Sequence, residues 1–190
     1  KFTVYALDKR GHGRSDLGVE RLTFKQIAED ILALLEKERI QRVHVLGFSD
    51  GGNLGLYLAA HYPERIASLI AMGANYEADG LTDACNEETL ARYEELLALP
   101  DTDPDKIQRL CIHNLMLEEL DLSAEALRSI HAPTMLLAGE FDLIRGDQTE
   151  AMHRWISGSK KYIVPGGSHG FFVACPKVLE RLAKKFYKSL

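Results

Sequence analysis

The chain lacks the paired cysteines of a disulfide or metal framework. Cys85, Cys111 and Cys175 are scattered singly and odd in number, with no Cys-x-x-Cys and no His/Cys spacing that would hold a metal ion. Their expected role is that of reduced packing thiols in a cytoplasmic protein. No apolar run approaches the roughly 18 to 20 residues that span a bilayer, so no membrane partner is expected. Basic residues are neither in excess nor clustered: 23 Lys and Arg stand against 28 Asp and Glu, a net charge of -5. Nucleic acid, which calls for a basic face to neutralise phosphates, is disfavoured as a partner. Internal repeats, low-complexity tracts and an opening secretory signal are also missing. The sequence starts at Lys1 and runs straight into the strand-like Phe2-Thr3-Val4-Tyr5-Ala6-Leu7, as if in the middle of a fold.

What is present is an ordinary globular composition, 46% hydrophobic and 27% charged over 190 residues, enough to fill one core with a small insertion. Strand-like and helical segments alternate, with strands expected near 2–8, 43–48, 66–73, 134–139 and 160–164. That alternation predicts an α/β fold, a mostly parallel sheet flanked by helices. Thr23 and Gln26 make a capping box ahead of a helix whose apolar face is Phe24, Ile27, Ala28, Ile31, Leu34 and Leu35. The last helix starts near Pro176, turns Val178, Leu179, Leu182 and Phe186 inward, and ends among Lys184, Lys185 and Lys188. Residues 75–131 break the alternation: a helical stretch over Glu87 to Leu99, a Pro100-to-Pro104 break, then helix from Asp105 to Leu120. They are expected to form a helical cap inserted into a core of 1–74 and 132–190. The acidic residues Glu87, Glu88, Glu94 and Glu95 suit a solvated helix face.

Chemistry concentrates at Gly47-Phe48-Ser49-Asp50-Gly51, where the apolar run Val43-His44-Val45-Leu46 ends and a helical pattern begins. A serine between glycines at such a junction is thrust out by a sharp strand-to-helix turn. The expected reason for the glycines is crowding at the elbow, with Gly52 keeping the helix start open. A serine hydroxyl is a poor nucleophile near neutral pH, so a base and an orienting acid are needed downstream. The strand Thr134 to Ala138 leads into Gly139-Glu140-Phe141-Asp142, which makes Asp142 the preferred carboxylate over Glu140 and over Asp147, a helix-opening cap. The strand Lys161 to Val164 leads into Pro165-Gly166-Gly167-Ser168-His169-Gly170, which makes His169 the preferred base. His44, His61, His113 and His153 read as packing or surface residues. The backbone N–H of Asp50 is the expected oxyanion donor.

Together with Asp8-Lys9-Arg10-Gly11-His12-Gly13-Arg14-Ser15, these segments resemble the α/β-hydrolase superfamily over essentially the whole chain. The Gly47-to-Gly52 stretch, followed by Met72-Gly73-Ala74-Asn75, is similar to the biphenyl-hydrolase-like branch, which includes valacyclovir-type amino-acid ester hydrolases. The resemblance implies Ser49 as nucleophile, Asp142 as acid, His169 as base and no cofactor. It also implies that Asp50 recognises a substrate's α-amino group, the alternative being a carboxylate that stabilises its helix dipole. Phe48, Asp50 and Tyr76 are candidate substrate-binding residues, and Leu81, Leu90, Tyr93, Leu96, Leu97, Leu115 and Met116 of the cap either shape a pocket or pack.

The family's first three strands, and the loop after the third that supplies a second oxyanion donor, have no counterpart, so the fold is expected to be truncated at its N-terminus. A longer parent chain, a partner's strand in a homodimer, or direct pairing of 2–8 with 43–48 would each fill the gap. Direct pairing would bring the Gly11-His12-Gly13 turn toward the oxyanion; otherwise that turn is structural. The expected function is cofactor-free hydrolysis of small carboxylic esters through an acyl-enzyme. Carbon–carbon bond hydrolysis or iminopeptidase activity on the same triad, and an inactive binding module, are the alternatives.

Overall fold

Thr23 Oγ1 accepts the Gln26 amide at 3.1 Å, and the Gln26 side-chain oxygen accepts the Thr23 amide at 3.0 Å. This capping box opens α1 (Phe24–Lys37), which buries Phe24, Ile27, Ala28 and Leu35 along one stripe. The structure is a computed structural model that describes residues 2–18, 21–117 and 119–190. After α1 come β1 (Val43–Phe48), α2 (Asp50–His61) and β2 (Ile66–Met72). Three helices follow, α3 (Asp83–Ala98), α4 (Lys106–Leu117) and α5 (Ala124–Arg128). The chain then runs through β3 (Thr134–Phe141), α6 (Gly146–Trp155), β4 (Lys160–Ser168), α7 (Phe171–Ala174) and α8 (Pro176–Tyr187).

All strand pairs are parallel, in the order β1-β2-β3-β4. Successive strand residues point to opposite faces, so each inner strand feeds two cores. Leu69 and Ala71 of β2 and Leu136 of β3 join α1, α2, α5 and α6 in the larger cluster. Ile70, Met72, Met135 and Leu137 join Val164, Phe171 and Phe186 in the smaller one, closed by Val178, Leu179 and Leu182 of α8. Both faces of the middle strands are therefore dry, as expected of an α/β sheet. Two of the three helices between β2 and β3, α4 and α5, share the larger core: α4 sends in Cys111 and Leu115, and the segment after it sends in Leu120, Leu122, Leu127 of α5 and Ile130.

Several expectations need correcting. Residues 2–8 form no strand, and among the described residues β1 pairs only with β2. An extended segment becomes a strand only through a ladder; here Phe2 is held by ring contacts with His44 at 5.3 Å and Tyr187 at 5.2 Å, while Val4 is 82% exposed. As an edge, β1 leaves His44 and Leu46 exposed.

β3 and β4 run past their expected ends, because Phe141 pairs with Ser168 across a register shift after Gly139. Pro165 is tolerated there because β4 is the other edge. The helix expected from Glu87 begins at Asp83, capped by Thr82, and the Pro100-to-Pro104 break separates it from α4. The stretch expected to stay helical to Leu120 ends at Leu117, with residue 118 outside the described residues. Asp147 lies in the first turn of α6 and is not its cap, which is Arg145. Among the described residues, no helix is long and apolar enough to cross a membrane.

Candidate active site

Ser49 joins β1 to α2 with φ 53° and ψ -122°, a left-handed backbone that a non-glycine residue adopts only when its surroundings fix it. Here they do. The Ser49 amide donates to the Met72 carbonyl at 2.8 Å, extending the β1–β2 ladder, and the Ser49 carbonyl accepts the Gly52 and Asn53 amides at 2.8 and 3.0 Å. Gly47 is required: an added Cβ would lie 2.0 Å from the Gly51 carbonyl oxygen. Gly52 is close to Ala74, at 3.0 Å from a built Cβ to the Ala74 Cβ, whereas a Cβ on Gly51 would meet nothing within 4 Å. The crowding expected on both sides of the serine is thus confined to its N-terminal side and to Gly52.

Asp142 and His169 meet at the carboxyl ends of β3 and β4. His169 Nδ1 lies 2.6 Å from Asp142 Oδ1, and Asp142 also accepts the Gly139 amide at 3.0 Å and the Ile144 amide at 3.1 Å. The Asp142 side chain is 3% exposed. Burial opposes its ionisation, but the bonds from His169, Gly139 and Ile144 outweigh burial and hold the carboxyl below the ordinary carboxylate range. The alternative Glu140 turns away to accept the Gly166 amide at 2.7 Å. The His169 ring is backed by Phe48 at 4.6 Å, and Phe48 by Phe172 at 4.7 Å. Gly73, at φ 53°, makes room on another side, since a Cβ there would fall 2.8 Å from the His169 ring.

Ser49, Asp50 and His169 face one cavity of about 40 Å³. Asn53 and Asn75 form its polar wall, while Leu81, Cys85, Met116, Leu143 and Ile144 close it with apolar and sulfur-bearing side chains. Of the sequence candidates, Ser49, Asp50, His169, Leu81 and Met116 reach this cavity. Phe48 does not line it and instead packs behind His169; Tyr76 also lies away, edge-on to Trp155 at 5.1 Å. Leu96 and Leu115 are buried, and Leu90 and Leu97 are exposed.

Sequence reasoning missed the amide pair. Asn53 Nδ2 donates to Asn75 Oδ1, and the Asn75 amide donates to Asn53 Oδ1, both at 2.9 Å. With 4% and 6% exposure these side chains are buried; Asn53 bonds both the Asn75 side chain and its backbone N–H, and Asn75 Nδ2 donates to the Glu77 carbonyl at 2.7 Å, tying α2 to the loop after β2. The signal available was an asparagine one helical turn after Ser49 in an otherwise apolar helix.

The Asp50 amide, at the start of α2, bonds no acceptor among the described residues, as befits a helix N-terminus. Its carboxylate pairs with Lys9, Nζ to Oδ2 at 3.0 Å. The turn that direct pairing would have brought to the oxyanion is held by its own bonds, as in the structural reading: the Gly11 amide donates to the Asp16 carbonyl at 3.2 Å, the His12 amide to the Lys9 carbonyl at 2.9 Å, and residues 11–13 do not line the Ser49 cavity. Direct pairing of 2–8 with β1, on which that role depended, is also not formed. No group of three or more His, Cys, Asp or Glu among the described residues is arranged to hold a metal ion.

Residues 1–102 match the family described as alpha/beta hydrolase fold. The chain is 28% identical over 206 residues to the serine hydrolase BPHL of Homo sapiens, covering 97% of this chain and 69% of that protein. It is 26% identical over 220 residues to 3-oxoadipate enol-lactonase 1 of Acinetobacter baylyi, covering 100% of this chain and 80% of that protein. The solved meta-cleavage product hydrolase from Pseudomonas fluorescens IP01 matches the fold with a TM-score of 0.77 at 16% identity, over 95% of this chain and 78% of that one.

Proposed function

The chain belongs to the α/β-hydrolase family and is a hydrolase, and on that premise we propose a serine hydrolase that cleaves small carboxylic esters through an acyl-enzyme. The observation that carries this reading is the convergence of a strained, cavity-facing Ser49 with a His169 whose Nδ1 is bonded to buried Asp142. Donation from Nδ1 to the carboxylate leaves Nε2 as the acceptor for a serine proton. His169 takes the Ser49 proton as Oγ bonds to the ester carbonyl carbon, then returns it to the departing alcohol. Water repeats the sequence on the acyl-enzyme, with His169 again as base, and releases the acid. Asp142 holds the ring and stabilises the imidazolium.

The Asp50 amide is the assigned donor to the tetrahedral oxyanion. Such a donor contributes about 2.7–4 kcal/mol to lowering the barrier. In this reading residues 75–131 are the cap over a core of 1–74 and 132–190, and Leu81, Cys85 and Met116 border the acyl or alcohol group. Similarity to an enol-lactonase, whose bond is a cyclic ester, favours esters over the carbon–carbon and peptide alternatives. The test is Ser49→Ala: hydrolysis of p-nitrophenyl acetate and labelling by a fluorophosphonate should both disappear, and retained turnover would reject the mechanism.

A further inference from the structure

The Asp8-to-Ser15 turn is secured without the Lys9 side chain. Asp8 accepts the Arg14 amide at 3.1 Å and, through its carbonyl, the Ser15 hydroxyl at 2.7 Å; Arg10 grips Asp30 of α1 through two bonds of 2.7 and 2.6 Å. Lys9 alone turns toward the elbow, crossing 41 residues of sequence to reach Asp50 at 3.0 Å. The two side chains are 17% and 21% exposed, so water screens this pair less than it would on the open surface. Asp50 follows Ser49 directly and borders the same cavity.

A carboxylate in that place would, if unpaired, attract cationic substrates and repel the negative charge that grows on the carbonyl oxygen during attack. Lys9 removes both effects. A substrate ammonium approaching Asp50 must share the carboxylate with, or displace, an intramolecular one that needs no association step. An ammonium has three donors, and Asp50 is the acceptor bonded to Lys9 Nζ among the described residues.

We propose that Lys9 is a specificity-determining residue of the Ser49 site: by pairing with Asp50 it disfavours substrates that carry a positive charge near the scissile bond relative to neutral ones. The proposal rests on Ser49 as the nucleophile. It runs against recognition of an α-amino group by Asp50, which the family resemblance implies.

The experiment compares labelling rates, by intact mass, for a neutral alkyl fluorophosphonate and one whose alkyl arm ends in trimethylammonium. Both form a Ser–O–P bond with loss of fluoride and so report on the nucleophile without knowledge of the natural ester. The wild type should favour the neutral probe. Lys9→Met should raise the cationic-to-neutral ratio about tenfold or more, the scale of a freed, partly buried charge. Lys9→Arg should keep the wild-type ratio, and Lys9→Met with Asp50→Asn should lose the gain. If neither probe labels the wild type, the reading of Ser49 fails and this proposal with it. If Ser49 labels but the ratio is unchanged in Lys9→Met, or the gain survives removal of Asp50, only the role of Lys9 is overturned.

Discussion

A Cβ built on Gly73 lies 2.8 Å from both Cε1 and Nδ1 of His169. The glycine is thus a mould for the ring that Asp142 holds at 2.6 Å. Gly73→Ala must push the imidazole off that bond or shift the loop, and alanine at φ 53° adds about 1–2 kcal/mol of backbone strain. Turnover of p-nitrophenyl acetate should fall about 100-fold, the effect of a displacement near 1 Å. Circular dichroism should still show a folded protein. Unchanged kcat in folded Gly73→Ala would mean that the ring has room the structure does not show.

The two glycines flanking Ser49 should respond oppositely to alanine. At Gly47 the clash is with backbone, 2.0 Å from the Gly51 oxygen and 2.3 Å from its carbon, so no rotamer relieves it. Gly47→Ala is expected to destabilise on the order of 4 kcal/mol or to prevent folding. Gly51 has open space and lies in the first turn of α2, where alanine gains up to about 1 kcal/mol in helix propensity. Urea unfolding of the two variants, with m-values compared, measures the contrast.

That contrast marks where sequence reading reaches its limit. Local signals were strong enough to specify much: the Thr23–Gln26 box, the strand expected near 66–73, and the strand-ending loops that carry Ser49, Asp142 and His169. What escaped depends on which distant segments meet. Residues 2–8 have strand-like composition, yet a strand exists only when a neighbour supplies its ladder, and none does among the described residues. Glycine spacing marked an elbow but could not say which glycine faces backbone. Tyr76 was read toward the pocket, while the structure sets it against Trp155. The Lys9–Asp50 and Asn53–Asn75 pairs join residues 41 and 22 positions apart, and no periodicity reports such contacts.

The asparagine pair carries its own prediction. Asn75→Ala strips Asn53 of its partner for Nδ2, and also removes the Asn75 Nδ2 bond of 2.7 Å to the Glu77 carbonyl. A buried polar group left unsatisfied costs about 1–3 kcal/mol, so each single alanine variant should be destabilised by that much. The double variant Asn53→Ala with Asn75→Ala still leaves the residue 75 backbone N–H without the Asn53 acceptor, but it orphans neither side-chain amide and should lose less than the sum. Denaturant unfolding of the four proteins gives the coupling; strict additivity would show that the pair does not act as a unit.

Asp142 links activity to pH through the sign of its shift. Asp142→Asn keeps size but replaces a carboxylate by an amide that no longer fixes the His169 tautomer, and kcat should drop about 10⁴-fold. Stability separates a second consequence. The folded carboxyl titrates below its unfolded value of about 3.9, because the hydrogen bonds that favour the ion outweigh burial. Such a group contributes stability that is fully present above about pH 4, and loses it as pH falls through the lower, folded value. The advantage of wild type over Asp142→Asn should therefore stay level through the neutral range and shrink only on acidification below about pH 4. Urea midpoints of the two proteins, measured across that range, check the direction. An advantage that grew toward acid would require the carboxyl to titrate above its ordinary value in the folded state, and would contradict the three donors that hold it ionised.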